Sequence, residues 1–116
     1  MAIQYQNALD RTFHALGDES RRRMLAMLAT EGECTASELG KQFRHAQPTI
    51  SKHIKVLEKA GLVQREIDGR IHRFRLDSRP LDEAEDWIAR HRQFWAGTLE
   101  RLEGFVVDGL QSDEQL

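Results

Sequence analysis

Cysteine, proline and long apolar runs are scarce in this chain of 116 residues, which has one cysteine and two prolines. The lone Cys34 excludes an internal disulfide and a Cys-x-x-Cys metal or redox site within one chain. No apolar run approaches the roughly 20 residues needed to cross a bilayer, and residues 1–6 lack a signal-peptide pattern. We therefore expect a single cytoplasmic domain over residues 1–116 that does not bind membranes.

The net charge is also small, at −2, but it is divided unevenly along the chain. Residues 1–40 contain four Lys or Arg against six Asp or Glu, and residues 80–116 contain three against nine. Between them, residues 41–79 contain ten basic against four acidic residues. A basic segment of this kind predicts a surface that binds a polyanion, although a merely solvated basic face remains the alternative.

Apolar spacing and capping residues predict four helices in the first half of the chain. An apolar stripe that includes Leu9 and Phe13 indicates a helix over residues 5–16. Asp18 is a good N-cap for a second helix that Gly32 ends. Thr35-Ala36-Ser37-Glu38 is a capping box that opens a short third helix, which carries Leu39 and Phe43.

The remaining elements follow from the two prolines and one turn signal. Pro48 suits only the first turn of a helix, which places a fourth helix from near Ala46 to Ala60. Asp68-Gly69 predicts a hairpin between strands at 62–67 and 70–76. After Pro80, a long helix is expected at 81–107, with a frayed tail at 108–116. The order predicts a mainly α winged helix-turn-helix with five helices and a two-stranded wing.

The fourth helix and the hairpin hold the side chains suited to DNA. Gln can contact adenine through two hydrogen bonds, Ser and Thr can donate or accept, and Lys reaches guanine or phosphate. A solvated face is the simpler interpretation of such a helix taken alone, but Arg65, Arg70, Arg73 and Arg75 on the hairpin favour DNA backbone contact. The predicted DNA-binding residues are Gln47, Pro48, Thr49, Ser51, Lys52, His53, Lys55, Arg70 and Arg73.

Several motifs carry a family resemblance, among them Phe13-His14-Ala15-Leu16-Gly17-Asp18, Gln47-Pro48-Thr49-Ile50-Ser51-Lys52-His53 and Ala60-Gly61-Leu62-Val63. Over residues 9–78 the sequence resembles the ArsR/SmtB family of bacterial transcriptional regulators. The resemblance implies a homodimer, built through the first and last helices, that binds an inverted-repeat operator and represses its own or a neighbouring operon. The predicted dimer residues, on helices 5–16 and 81–107, are Leu9, Phe13, Ile88, Trp95, Leu99 and Leu102.

Many family members sense metals, but this sequence favours a regulator without a metal or other cofactor. The resemblance would place thiolate ligands near Thr35 and Ser37, whereas Cys34 lies one position out of register and His91 is the lone histidine of the last helix. A thiol-responsive repressor through Cys34 is one alternative, although no basic neighbour lowers its pKa. The other is a protein-interaction or co-regulator module that uses the aromatic residues of the last helix.

Catalysis is the least supported class of function. The sequence contains no glycine-rich phosphate loop, no His-Glu-x-x-His motif and no nucleophile with an evident base. We therefore expect a protein that is not an enzyme and whose partner is double-stranded DNA.

Overall fold

The computed structural model describes residues 7–43 and 47–114, and their side chains as far as residue 106. The prediction of a mainly α winged helix with five helices is confirmed, and a third short strand joins the wing. Within the last helix the chain divides into two compact units, one that ends at Ala84 and one that begins at Glu85. We call them the winged-helix unit and the distal segment. The elements are α1 Ala8–Leu16, α2 Glu19–Glu31, β1 Cys34–Thr35, α3 Ala36–Lys41, α4 Gln47–Lys59, β2 Val63–Asp68, β3 Ile71–Leu76 and α5 Arg79–Glu114.

The ends of α2 and α3 follow the capping signals of the sequence. The Asp18 side chain accepts the backbone N–H of Arg21 at 3.1 Å, which satisfies one of the free donors at the start of α2. Gly32 ends the helix at a φ of 83°, in the region that favours glycine. Thr35 and Glu38 form both hydrogen bonds of the predicted capping box.

Helix boundaries differ from the prediction at three places. Helix α1 begins at Ala8 with Asn7 as its N-cap, and the predicted residues 5 and 6 lie outside the described part of the chain. The expected start of α4 at Ala46 also lies outside it. Helix α5 begins at Arg79, because a proline is tolerated within a first turn, and its backbone stays helical through Glu114. Residues 108–114, predicted as a frayed tail, are therefore helical.

The sheet has the order β1-β3-β2 with antiparallel neighbours. Strand β1 is added at the outer edge of the wing, where Cys34 pairs with Phe74. The turn is shifted by one residue from the prediction, because Asp68 pairs with Ile71 and leaves Gly69-Arg70 as the two-residue loop. Gly69 has a φ of 61°, as the first central residue of a type II′ turn requires, so no other residue needs a positive φ there.

The core of the winged-helix unit fixes the position of α4. Ile50, Ile54 and Leu57 of this helix are at most 4% exposed, and they join a cluster centred on Phe74 and the apolar residues of α2 and α3. Burial of each such side chain contributes about 1.5–3 kcal/mol. One face of α4 is thus anchored in the core, and its other face is left for solvent or a ligand. Among the described helices, none combines the length and apolar character needed to cross a membrane.

Candidate nucleic-acid interface

The outward face of α4 presents a continuous row of polar side chains. Its members recur at intervals of one, three or four residues, which places them on one side of the helix. All of them are exposed, in contrast to the buried Ile50, Ile54 and Leu57. We call this row the α4 stripe, and it consists of Gln47, Pro48, Ser51, Lys52, Lys55 and Lys59.

The electrostatics of α4 suit an anion. Its first turn contains no acidic residue, so nothing opposes the positive end of the helix dipole. Glu58 is the one acidic residue of the helix sequence, and it is paired with Arg65 of β2. The three lysines of the α4 stripe therefore give this face an exposed positive charge. The arrangement can bind phosphates through Lys and present Gln and Ser to base edges.

Thr49 and His53 are predicted DNA contacts that the structure places differently from the rest. Both are half-buried, beside the α4 stripe rather than on it. The Nδ1 atom of His53 lies 3.3 Å from Nη1 of Arg21 and 3.8 Å from a carboxylate oxygen of Asp18. His53 therefore contacts the start of α2, and its role as a DNA contact stays a prediction.

Arg21 is a structural residue that links three helices. Its Nε and Nη2 atoms donate to the backbone carbonyls of Ala15 and His14, at 2.8 and 3.0 Å. These are among the last carbonyls of α1, where helical N–H partners run out, although the His14 carbonyl also accepts the N–H of Gly17 at 3.1 Å. Through its contact with His53, Arg21 also reaches α4. Asp18 was the sequence signal for the α2 cap, and no local pattern indicated the longer contacts of Arg21.

The next two arginines are also engaged within the winged-helix unit. Arg22 donates to the carbonyl of Leu16 at 2.7 Å, at the end of α1. The guanidinium carbon of Arg23 lies 4.9 Å from the centre of the Phe43 ring, a cation–π contact. The arginines of this run therefore contact backbone carbonyls and an aromatic ring of the winged-helix unit.

The wing arginines are not brought together at one place. Arg70 is exposed in the loop at the tip. Arg73 is half-buried further along β3, opposite Thr35. The backbone and side chain of Thr35 hold the pKa of Glu38 below its ordinary value by hydrogen bonding, and the positive charge of Arg73 adds to this effect. Arg70 is thus the better placed of the two for DNA, while Arg73 faces the start of α3.

Cys34 lies in the core at 2% exposure, paired with Phe74 in the sheet. Burial raises the pKa of its thiol, and the charges of Glu38 and Glu31 raise it further. A thiol in this environment is a poor nucleophile, because the thiolate is the reactive form. Over residues 7–43 and 47–106, no group of three His, Cys, Asp or Glu side chains is placed to hold a metal ion.

The distal segment exposes more large apolar side chains than the winged-helix unit, where Ile67 and Ile71 of the wing are exposed. Ile88, Trp95, Leu99 and Leu102, the predicted dimer residues of this helix, are between 41% and 62% exposed. Leu9 and Phe13 on α1 are half-buried. Three further apolar residues of this helix are also exposed, at 57–79%, and they continue the same apolar spacing or neighbour it: Phe94, Phe105 and Val106.

Comparison with known proteins places this arrangement among DNA-binding regulators. A family model for a helix-turn-helix domain matches residues 16–66, from the end of α1 to β2. An uncharacterised helix-turn-helix transcriptional regulator of Methanocaldococcus jannaschii is 35% identical over 66 residues, which cover 57% of this chain and 73% of that protein. The transcriptional repressor SdpR of Bacillus subtilis is 26% identical over 80 residues, 69% of this chain and 88% of the repressor.

A solved structure extends the likeness over most of the chain. The crystal structure of an ArsR family transcriptional regulator matches with a TM-score of 0.73 and 35% identity. The match covers 82% of this chain and 97% of that regulator. At this coverage the likeness includes the wing and reaches beyond the helix-turn-helix alone.

Proposed function

The chain belongs to the ArsR family of helix-turn-helix transcriptional regulators, and we propose that within it the protein acts as a homodimeric repressor of its own or a neighbouring operon. The observation that carries this proposal is the α4 stripe, a row of exposed polar and basic side chains on a helix whose opposite face is anchored in the core. The proposal includes no thiolate metal site, since Cys34 is buried and is the one cysteine of the chain.

Recognition begins at the N-terminal turns of α4. In helix-turn-helix proteins the second helix enters the major groove and presents its first residues to base edges. Gln47 and Ser51 occupy these turns, so we assign them to base contacts, and Gln47 suits adenine. Lys52 lies beside Ser51 and reaches guanine or phosphate, while Lys55 lies further along the helix and suits the backbone.

The wing supplies a second point of contact. Arg70 lies in a tight two-residue loop and is exposed, so its charge projects from the end of the hairpin. We assign Arg70 to a phosphate or to the minor groove beside the α4 site. Contacts of this kind fix the register of the protein on the duplex and contribute little to the choice of sequence.

Dimerisation is assigned to the apolar face of the distal segment. Ile88, Trp95, Leu99, Leu102 and Val106 follow one another at intervals of seven, four, three and four residues, the spacing of a helix that packs along another helix. A contiguous row of exposed apolar side chains favours association with another apolar surface. We propose a second copy of this chain as the occupant, with Leu9 and Phe13 of α1 in the same interface.

A two-fold dimer predicts a two-fold operator. Each α4 would read one half-site, and the half-site centres would lie about 10 base pairs apart or a multiple of this. Repression rather than activation is supported by the similarity to the B. subtilis repressor. A bound dimer at a promoter would exclude other proteins from the same DNA.

In vitro selection from random 30-base-pair duplexes tests this function. We expect the selected duplexes to share an inverted repeat, to bind two protomers, and to be bound equally in zinc and in a chelator. Affinity should fall steeply with salt, because each neutralised phosphate releases counterions. Selection of no common sequence, or one protomer per duplex, would contradict the proposal.

A further inference from the structure

Arg65 on β2 is the most completely engaged side chain of the wing. Its Nε atom donates to Oε2 of Glu58 at 3.1 Å, and its Nη2 atom pairs with the other oxygen of the same carboxylate. Its Nη1 atom lies 2.9 Å from Nδ1 of His72 on β3. The guanidinium carbon lies 4.9 Å from the centre of the Phe74 ring. Each of the three guanidinium nitrogens therefore has a partner within the winged-helix unit.

Arg65 and its partners together involve three elements. Glu58 belongs to the last turn of α4, His72 and Phe74 belong to β3, and Arg65 itself belongs to β2. A planar guanidinium that binds a carboxylate through two bonds fixes an orientation as well as a distance. The side chains of Glu58 and Arg65 are 28% and 29% exposed. The contact thus holds the hairpin against α4 in one geometry.

The position of this contact relates it to both parts of the proposed DNA surface. Glu58 lies between Lys55 and Lys59, and these residues line one shallow groove together with Arg65. At the other end of the same hairpin, Arg70 projects from the loop. If the hairpin moved against α4, Arg70 would lie at variable distances from a duplex bound to the α4 stripe. Binding would then have to fix the hairpin in one position, and the entropy lost in doing so would weaken the affinity.

We propose that Arg65 is a positioning residue: by holding the wing to α4, it lets Arg70 and the α4 stripe engage one duplex as a rigid unit. The inference rests on the proposed DNA-binding function. Under this proposal Arg65 is no longer one of the arginines expected to contact the DNA backbone. Glu58, an acidic residue on a basic surface, has the role of binding Arg65.

Two double variants separate the contact from its charge. Glu58→Gln/Arg65→Gln removes one negative and one positive charge, so the net charge of the protein is unchanged while the ion pair is lost. Glu58→Arg/Arg65→Glu exchanges the partners and keeps a pair across the same gap. Arg75→Gln is the matched control, because Arg75 is an exposed arginine on the same hairpin.

The first measurement uses the protein without DNA. Hydrogen exchange of the backbone amides over residues 63–76 should be faster in E58Q/R65Q, while exchange in α2 stays at the wild-type rate. The exchanged pair, E58R/R65E, should restore most of the protection, and R75Q should leave it intact. Unchanged exchange in E58Q/R65Q would overturn the proposal, as would equal acceleration throughout the winged-helix unit, and neither result depends on DNA binding.

The second measurement is a double-mutant cycle on a selected duplex. Arg70→Ala should weaken wild-type binding about fivefold to tenfold, by the size typical of a charge-assisted contact, and should weaken E58Q/R65Q less than twofold. The coupling should return in E58R/R65E. An Arg70→Ala effect that is the same in every background would overturn the proposal. Failure of the wild-type protein to select any duplex would instead count against the proposed function, and the exchange measurement would still decide the role of Arg65.

Discussion

Helix α4 and the distal segment of α5 are both amphipathic, but they leave opposite faces exposed. In α4, Ile50, Ile54 and Leu57 are at most 4% exposed, and the polar stripe faces outward. In the distal segment seven large apolar residues, from Ile88 to Val106, are 41–79% exposed. The apolar face of α4 packs in the core of the winged-helix unit, and its charged face is open to a ligand. The apolar face of the distal segment is exposed, which is the basis for proposing a second copy of the chain as its partner.

The largest expected effect comes from placing a charge on the apolar face. We expect Leu99→Glu to be monomeric and to bind the selected duplex at least about 100-fold more weakly, because an unpaired charge in an interface costs about 3–5 kcal/mol. Sedimentation and fluorescence anisotropy measure the two effects. The control is Gln93→Glu, which adds the same charge roughly 120° away around the helix. If the Leu99→Glu protein is still dimeric, the apolar face of the distal segment does not form the dimer interface.

The next effect concerns base recognition by α4. Gln47→Ala should reduce discrimination at one base pair of each half-site by about 1–3 kcal/mol, because a bidentate contact to a base edge is lost. Affinities for duplexes substituted one base pair at a time measure it, with Gln93→Ala as the control. If affinity falls equally for every duplex, Gln47 does not read sequence, and the α4 stripe only contacts the backbone.

A moderate effect is expected where the inner side of α4 meets the α1–α2 corner. Arg21→Gln should lower the free energy of unfolding by about 2 kcal/mol, because two carbonyls of α1 and the contact with His53 are lost. Arg22→Gln, which removes a single carbonyl contact, should cost about 1 kcal/mol. Urea denaturation measures both. Equal losses would mean that neither the second carbonyl contact of Arg21 nor its contact with His53 contributes to stability.

The smallest effect is a dependence on pH at the start of α5. The guanidinium and backbone N–H of Arg79 hold the pKa of Asp77 well below its ordinary value of 3.8. A carboxylate whose pKa is lower in the folded state stabilises the protein above the unfolded value, and the stabilisation is lost as the pH falls below it. Asp77→Asn should therefore flatten the loss of stability below about pH 4. If the wild-type protein and Asp77→Asn show the same dependence of the urea midpoint on pH from pH 7 to pH 3, this assignment is contradicted.

Features that depend only on residues close together in the chain could be predicted from the sequence. The capping box at Thr35 and Glu38 and the cap at Asp18 operate over three residues, and both are present as predicted. Strand β1 was missed, because two residues at Cys34–Thr35 form a strand only by pairing with β3, far along the chain. The turn was displaced by one residue, because a type II′ loop needs a positive φ at Gly69 alone, and the dipeptide signal does not fix the strand register.

The candidate site shows the same division between near and distant neighbours. The α4 stripe follows from helical periodicity, so its exposed members could be predicted from the sequence. The half-buried state of His53 could not, because its partner Arg21 lies 32 positions earlier. Arg65 was grouped with the other hairpin arginines for the same reason. Its surroundings depend on the packing of β2 against α4, and no local pattern specifies that contact.

The salt dependence of binding to the selected duplex tests the central claim most directly. Wild-type protein and Lys52→Ala/Lys55→Ala would be titrated at several salt concentrations, with Arg101→Gln in the distal segment as the control. If the α4 stripe lies on the DNA, each lost phosphate contact lowers the slope of log affinity against log salt by about 0.9, so the double variant should lose about 1.8 per protomer. A double variant with the wild-type slope and affinity would contradict the assignment of α4 as the DNA-binding helix.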